Sequence, residues 1–193
     1  MKLVFFLASC LMLASCQKEL SYEVDPGNTG GSGGGSGSSG GNSNGTYYIK
    51  GKKDGTAFNF ATYPMVTIIG VSGNSMVSFN ANATSPTTSM EGIALSISFS
   101  NGASLSTGTY SEDDNSMDHI VAGVYNPNSA TIVYGAGQYY PSALPLKITV
   151  LTKTTSEITG TFQGAFYKTD TGGGTITAEH YTITEGEFKL PIK

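Results

Sequence analysis

Two cysteines, two histidines, one acidic run and eleven tyrosines are the side chains here that could do chemistry, and their spacing limits what that chemistry is. The acidic run is Glu112-Asp113-Asp114-Asn115, with Asp118 close behind. Ca²⁺ takes many oxygen ligands from such a loop, so Asp113, Asp114 and Asp118 are the candidate metal ligands. The run lacks the turn glycine and the closing glutamate of an EF-hand loop. A solvated acidic loop is therefore the simpler expectation, and no cofactor or resident metal is expected. His119 and His180 each follow a carboxylate, Asp118 and Glu179. On a strand such neighbours point to opposite faces, and zinc wants three or four ligands, so neither pair makes a zinc site. Outside the glycine-rich run of 27–45 there is no Gly-x-Ser-x-Gly that could form a nucleophile elbow, and no histidine in a triad-like setting. Two carboxylates for glycoside cleavage would meet in space and not in sequence, so that route stays open without a residue to assign to it. No catalytic residue is nominated, and a non-enzymatic protein is expected.

The tyrosines are more suggestive. Tyr47-Tyr48 and Tyr139-Tyr140 are adjacent pairs, so on a strand one ring of each pair can face solvent. An exposed phenol offers a flat apolar ring with a polar tip, suited to sugar or protein surfaces. Tyr47, Tyr48, Tyr139 and Tyr140 are thus the candidate ligand face. Against this, tyrosine is a favoured strand residue, and the chain has no tryptophan to stack on sugars.

Both cysteines fall in the first sixteen residues. Lys2 is followed by an apolar run from Leu3 to Leu13, then by Ala14 and Ser15. That is a secretory signal, too short to span a bilayer. Leu13-Ala14-Ser15-Cys16 resembles the lipobox of bacterial lipoproteins. The resemblance implies cleavage before Cys16, acylation of its thiol with palmitate-type chains, and acylation of the new amine. Leu7-Ala8-Ser9-Cys10 repeats the tetrapeptide, but cutting there shortens the apolar run and leaves Leu11-Met12-Leu13 in the mature tail. Each buried CH₂ contributes about 0.8 kcal/mol, so two or three acyl chains hold a protein stably on a membrane. Glu19, Glu23 and Asp25 follow the cysteine. This start is similar to that of Bacteroidota lipoproteins displayed on the outer membrane, which implies cell-envelope localisation with exposure at the surface.

The elements that must position these residues follow from composition and period. All ten basic residues are lysines, against fourteen acidic residues. A nucleic-acid partner, which needs a basic and usually arginine-rich face, is excluded. With both cysteines at or before the cut, the mature domain has no disulfide and must be stable by its core alone. Gly27–Gly45 holds ten glycines in nineteen residues and no apolar side chain. It cannot bury enough surface to offset its backbone entropy and reads as a Gly/Ser tether with a span of about 24 Å. The domain plan is therefore a signal over 1–15, an acylated cysteine and tether over 16–45, and one domain over 46–193.

Within 46–193 the dominant period is two. Leu95 to Ser100, Leu146 to Val150 and Ile158 to Gln163 alternate apolar with polar, as half-buried strands do. Lys53-Asp54-Gly55, Ser72-Gly73-Asn74, Asn101-Gly102, Asn126-Pro127-Asn128 and Asp170 to Gly174 are turn signals. Nine to eleven short strands predict an all-β fold, a single antiparallel β-sandwich with a closed β-barrel as the alternative. Only Ser111–Asp118 has room for a helical turn. Gly160-Thr161-Phe162-Gln163-Gly164 followed by Gly186-Glu187-Phe188 resembles the closing strands of uncharacterised β-sandwich lipoprotein domains of Bacteroidota. That family implies fold and location but no activity. The expectation is a lipid-anchored envelope domain with a binding or structural role, its partners the membrane and a glycan or envelope protein. A carbohydrate-binding accessory of a glycan-uptake system is the alternative.

Overall fold

Alternating side chains give each run in 46–193 one dry face, and the computed structural model folds these faces onto a single core. It describes residues 46–193 apart from 72, 85–88, 115, 142, 171, 173 and 193. The signal and tether, with Cys10 and Cys16, lie outside the described residues. Among the described residues there are eleven strands: β1 (Tyr48–Lys53), β2 (Thr56–Phe60), β3 (Thr62–Val71), β4 (Asn74–Asn82), β5 (Gly92–Phe99), β6 (Gly108–Ser111), β7 (His119–Asn126), β8 (Ile132–Gly137), β9 (Lys147–Lys153), β10 (Glu157–Asp170) and β11 (Ile176–Pro191). No helix occurs among the described residues, so none is long and apolar enough to cross a membrane. Residues 112–114 and 117–118 form turns and bends in place of the helical turn the sequence had room for.

The strands join antiparallel into one sheet, in the order β2-β1-β11-β10-β8-β7-β5-β4-β3, with β9 on β10 and β6 on β9. The long β10–β11 hairpin belongs to both halves of this sheet. Its first section pairs Ile158–Gln163 with β9, while Tyr167–Asp170 pair with β8. One half is therefore β6-β9-β10-β11-β1-β2 and the other is β11-β10-β8-β7-β5-β4-β3. A parallel bridge from Val66 to Ile192 brings β3 back to the end of β11, and the barrel is nearly closed. The expected all-β antiparallel fold is what forms. Its two half-sheets face each other over one core as sandwich layers do, yet they remain a single wrapped sheet.

Phe79 of β4 meets Phe188 of β11 across this core, ring centroids 4.9 Å apart. Phe99 of β5 meets Tyr110 of β6 edge-on at 5.5 Å. Leu95, Ile97, Ile148, Ile158 and Leu190 are fully buried around them. Each such side chain contributes about 1.5–3 kcal/mol by leaving water.

The hairpin's bend has a local cause. Between the pairs Phe162–Gly186 and Gly164–Ile183 the register slips, and Glu185 takes a φ of 51°. This bulge leaves an extra residue on β11 and raises the local twist, turning the hairpin from one half-sheet into the other. The same register sets Gly160 opposite Phe188 and Phe162 opposite Gly186. Each phenylalanine ring lies over the glycine facing it, where a Cβ would collide. The Gly-Thr-Phe and Gly-Glu-Phe triplets are thus a reciprocal packing device at the bend.

The two half-sheets differ on their outer faces. On β1, β10 and β11 the exposed positions carry ion pairs, Lys50–Glu187 at 2.9 Å, Lys52–Glu185 at 2.8 Å and Lys189–Glu157 at 3.4 Å. On β3, β4, β5 and β7 the row Ile69–Met76–Ser98–Ile120 runs across four strands in register. Its neighbouring rows, Thr67–Ser78–Ser96–Ala122 and Met65–Asn80–Ala94–Val124, are also without a charged side chain.

Candidate functional site

The densest gathering of ionisable and aromatic groups lies at one end of the barrel, where β1, β7 and β10 finish and β5, β8 and β11 begin. Tyr125 on β7 and Tyr134 on β8 are register partners, so both phenols point to the same, inner face. Tyr181 of β11 completes the group, 4.3 Å from Tyr134 and 5.9 Å from Tyr125 between ring centroids. Phe60 of β2 stacks on Tyr125 at 6.4 Å and shields it from below.

Charged side chains close the cluster. The Lys53 ammonium donates to the Tyr125 hydroxyl at 2.7 Å and lies over the Tyr125 and Tyr181 rings, 4.5 and 4.7 Å from their centroids. A cation over aromatic faces is drawn to the ring quadrupole. Lys53 reaches this place because Asp54 and Gly55 turn the β1–β2 hairpin with positive φ, and Asp54 fastens that turn to Thr182 through both its amide and its carboxylate. The Tyr125 hydroxyl donates in turn to Glu91 at 2.8 Å. Tyr134 donates to Glu179 at 2.8 Å, and Lys168 donates to the other oxygen of Glu179 at 2.7 Å.

The electrostatics follow from this pairing. Burial, then the hydrogen bond to Glu91, pushes the Tyr125 phenol above its ordinary value. Burial, then contact with Tyr181 and Glu179, does the same to Tyr134. The Lys168 ammonium, helped by the Tyr134 hydroxyl, holds Glu179 below the usual carboxylate range. Both phenols are therefore locked protonated at neutral pH and serve as donors. They are poor acids and offer no phenolate to act as a base, because losing the proton would place a phenolate beside a carboxylate.

A smaller polar group sits in the loop before β7. His119 Nε2 is 2.8 Å from Asp114 Oδ2, and the Tyr110 ring meets the imidazole edge-on at 5.1 Å. Burial raises the Asp114 carboxyl, but the amides of Ser116 and Ser111 and then His119 outweigh it, leaving it below its ordinary value. The Ser111 hydroxyl donates to Asp113 and not to His119. Acid, imidazole and hydroxyl are neighbours here without forming a relay to a nucleophile.

The residues singled out from sequence are distributed as follows. Asp114 uses both carboxylate oxygens on protein donors, and Asp113 holds Ser111. Among the described residues no group of three or more histidine, aspartate or glutamate side chains could hold a metal ion. His180 stacks on Tyr167 at 4.8 Å and donates from Nδ1 to the Ala178 carbonyl at 3.1 Å, away from the loop of His119. Tyr47 and Tyr48 are half-buried, with the Lys189 and Lys50 ammoniums at 6.0 and 4.9 Å from their ring centroids. Tyr139 is exposed, while Tyr140 packs where a Gly135 side chain would otherwise stand. The cluster that does form uses Tyr125, Tyr134 and Tyr181, which adjacency in sequence did not mark. The one signal that could have found it was tyrosine at the inward parity near the end of one strand and the start of the next.

Comparison with family models, with curated proteins and with solved structures gives no match to this chain.

Proposed function

We propose that this chain is a lipid-anchored β-domain of the bacterial cell envelope, fixed to the outer membrane through the acylated thiol of Cys16. Gly27–Gly45 serves as its leash, and its role is to bind or support an envelope component without catalysing a reaction. The signal, the Leu-Ala-Ser-Cys tetrapeptide and the glycine run support the anchorage. The non-catalytic reading rests on one observation: the ionisable groups gathered at the barrel end are spent on one another. Lys53, Tyr125 and Glu91 form one chain of donors and acceptors, and Lys168, Glu179 and Tyr134 form another. Such fully satisfied networks fasten strands together. A catalytic base or nucleophile needs a free lone pair aimed at a substrate.

The experiment is metabolic labelling of the full-length chain with a fatty-acid probe. The wild type is expected to take up label and to fractionate with membranes, and Cys16→Ala to lose both. Label that survives Cys16→Ala but not Cys10→Ala would move the anchor to the earlier box. A wild type that takes no label at all would overturn the anchorage.

A further inference from the structure

The domain over 46–193 carries four methionines, Met65, Met76, Met90 and Met117. They differ in how far each side chain reaches water. Met76 is half-buried on β4, Met65 and Met90 are 39% and 48% exposed, and Met117 is 90% exposed. Met117 lies just before β7, and the backbone around it is held. Its carbonyl accepts from the Ser100 hydroxyl at 2.8 Å, the Ser100 amide donates to the Asp118 carbonyl at 2.9 Å, and the Asp118 amide donates to the Ser116 hydroxyl at 3.1 Å. The chain is pinned here while the thioether stands in solvent. The charge around it has one sign. Glu112, Asp113, Asp114 and Asp118 lie within five residues of Met117, and no lysine occurs between Lys53 and Lys147. His119 is the neighbouring basic group, and Asp114 is bonded to it. Met65, by contrast, sits on β3, a strand without a charged residue.

We propose that Met117 is a modification site, at which a neutral hydroperoxide converts the thioether to the sulfoxide ahead of the other three methionines. The sulfur lone pair attacks one peroxide oxygen. An S–O bond forms and the O–O bond breaks. The proton of the transferred oxygen passes to the departing one, which leaves as water or an alcohol. The sulfur gives up two electrons and the peroxide takes them. Attack needs an open sulfur, so exposure sets the order of reaction. A sulfoxide is polar, and it disrupts packing where it forms inside a structure. At Met117 it forms in water beside a pinned backbone, so the fold is spared, and the change is one that reduction reverses. The carboxylates choose the oxidant, because they hold off an anion and leave an uncharged peroxide unaffected. The site does not depend on the anchorage proposed above, since it uses only the folded domain.

The test treats the full-length chain with a limiting amount of hydrogen peroxide and reads sulfoxide at each methionine by peptide mass spectrometry. Met117 is expected to react about twofold faster than Met90 and Met65, as 90% exposure stands to 48% and 39%. The circular dichroism spectrum and melting temperature should not change. In urea the four methionines should react alike, because the lead comes from the fold. Periodate, an anionic oxygen donor, tests the choice of oxidant. At low salt the lead of Met117 over Met65 should fall by about twofold relative to peroxide, and added salt should restore it. Met117 reacting no faster than Met90 with peroxide, or keeping the same lead in urea, would overturn the inference. Equal leads with peroxide and periodate at low salt would overturn the selection by charge.

Discussion

A Cβ at Gly160 would collide with the Thr149 carbonyl oxygen and the Phe188 ring, and one at Gly186 would stand 2.7 Å from the Phe162 ring. The carbonyl is backbone and the rings are wedged in the core, so nothing nearby can yield cheaply. Gly160→Ala or Gly186→Ala is expected to cost about 1–3 kcal/mol by overpacking, read as a lower denaturant midpoint. Gly70→Ala is the control: its nearest neighbour is the Asn74 carbonyl oxygen at 4.0 Å, and a change within about 0.5 kcal/mol is expected. The phenols of the barrel end give a second prediction at this scale. Tyr125 and Tyr134 have raised pKa values in the folded chain, so the folded state holds protons that the unfolded chain gives up. Their contribution is fully present below the ordinary phenol value of about 10 and is lost as pH rises through and beyond it. Ultraviolet titration should therefore show two tyrosines that ionise only as the protein unfolds in alkali. In a Tyr125→Phe, Tyr134→Phe double variant the alkaline fall in stability should be shallower. Two tyrosines titrating normally in the intact fold would contradict the pairing with Glu91 and Glu179.

At the scale of the element, the β10–β11 hairpin crosses between half-sheets because Glu185 sits at positive φ inside a bulge. That conformation costs an L-residue about 1–2 kcal/mol, and most for branched side chains. Glu185→Gly should therefore be neutral or slightly stabilising despite losing the pair with Lys52, which is exposed and of little worth. Glu185→Val should cost about 1–2 kcal/mol; equal melting temperatures for the two would remove the bulge from the account. The hairpin was legible in the sequence, since Ile158 to Gln163 alternates and the Gly-x-Phe triplets mark where rings meet glycine. β3 was not. Its middle, Met65 to Ile69, reads Met-Val-Thr-Ile-Ile with no clean alternation, and near its start Tyr63 takes a φ of 49° within a register slip between Thr62 and Met65. β8 was hidden in the same way, because Gly135 and Gly137 interrupt its pattern. The barrel-end cluster escaped for a different reason. Lys53, Glu91, Tyr125, Tyr134, Glu179 and Tyr181 come from five separate places in the chain, and only the strand register brings them together.

For the whole molecule, the decisive pairing joins the beginning of the domain to its end. Tyr48 of β1 lies opposite Lys189 of β11, and β11 also carries β10 along its other side. The sheet therefore cannot be assembled by local hairpins alone, and long loops must close before these contacts form. Folding dominated by such non-local pairing takes milliseconds to seconds, so refolding should be slow for a domain of this size. It should appear as one phase by tyrosine fluorescence and by far-ultraviolet circular dichroism, because one core serves both half-sheets. The sharper consequence concerns the last strand. Ending the chain after Gly186 removes Phe188 and Leu190 from the core and deprives both Ile49 of β1 and Gly160 of β10 of their partners. Two neighbouring strands lose their edge at once, and Val66 loses its bridge to Ile192. Such a chain is expected to show no cooperative thermal transition, whereas Lys189→Ala, which leaves the backbone ladder and the core intact, should melt within a few degrees of the wild type. A truncated chain that still unfolds cooperatively would mean that the β3–β4–β5–β7 half-sheet is a folding unit of its own, and that closure through β11 is dispensable.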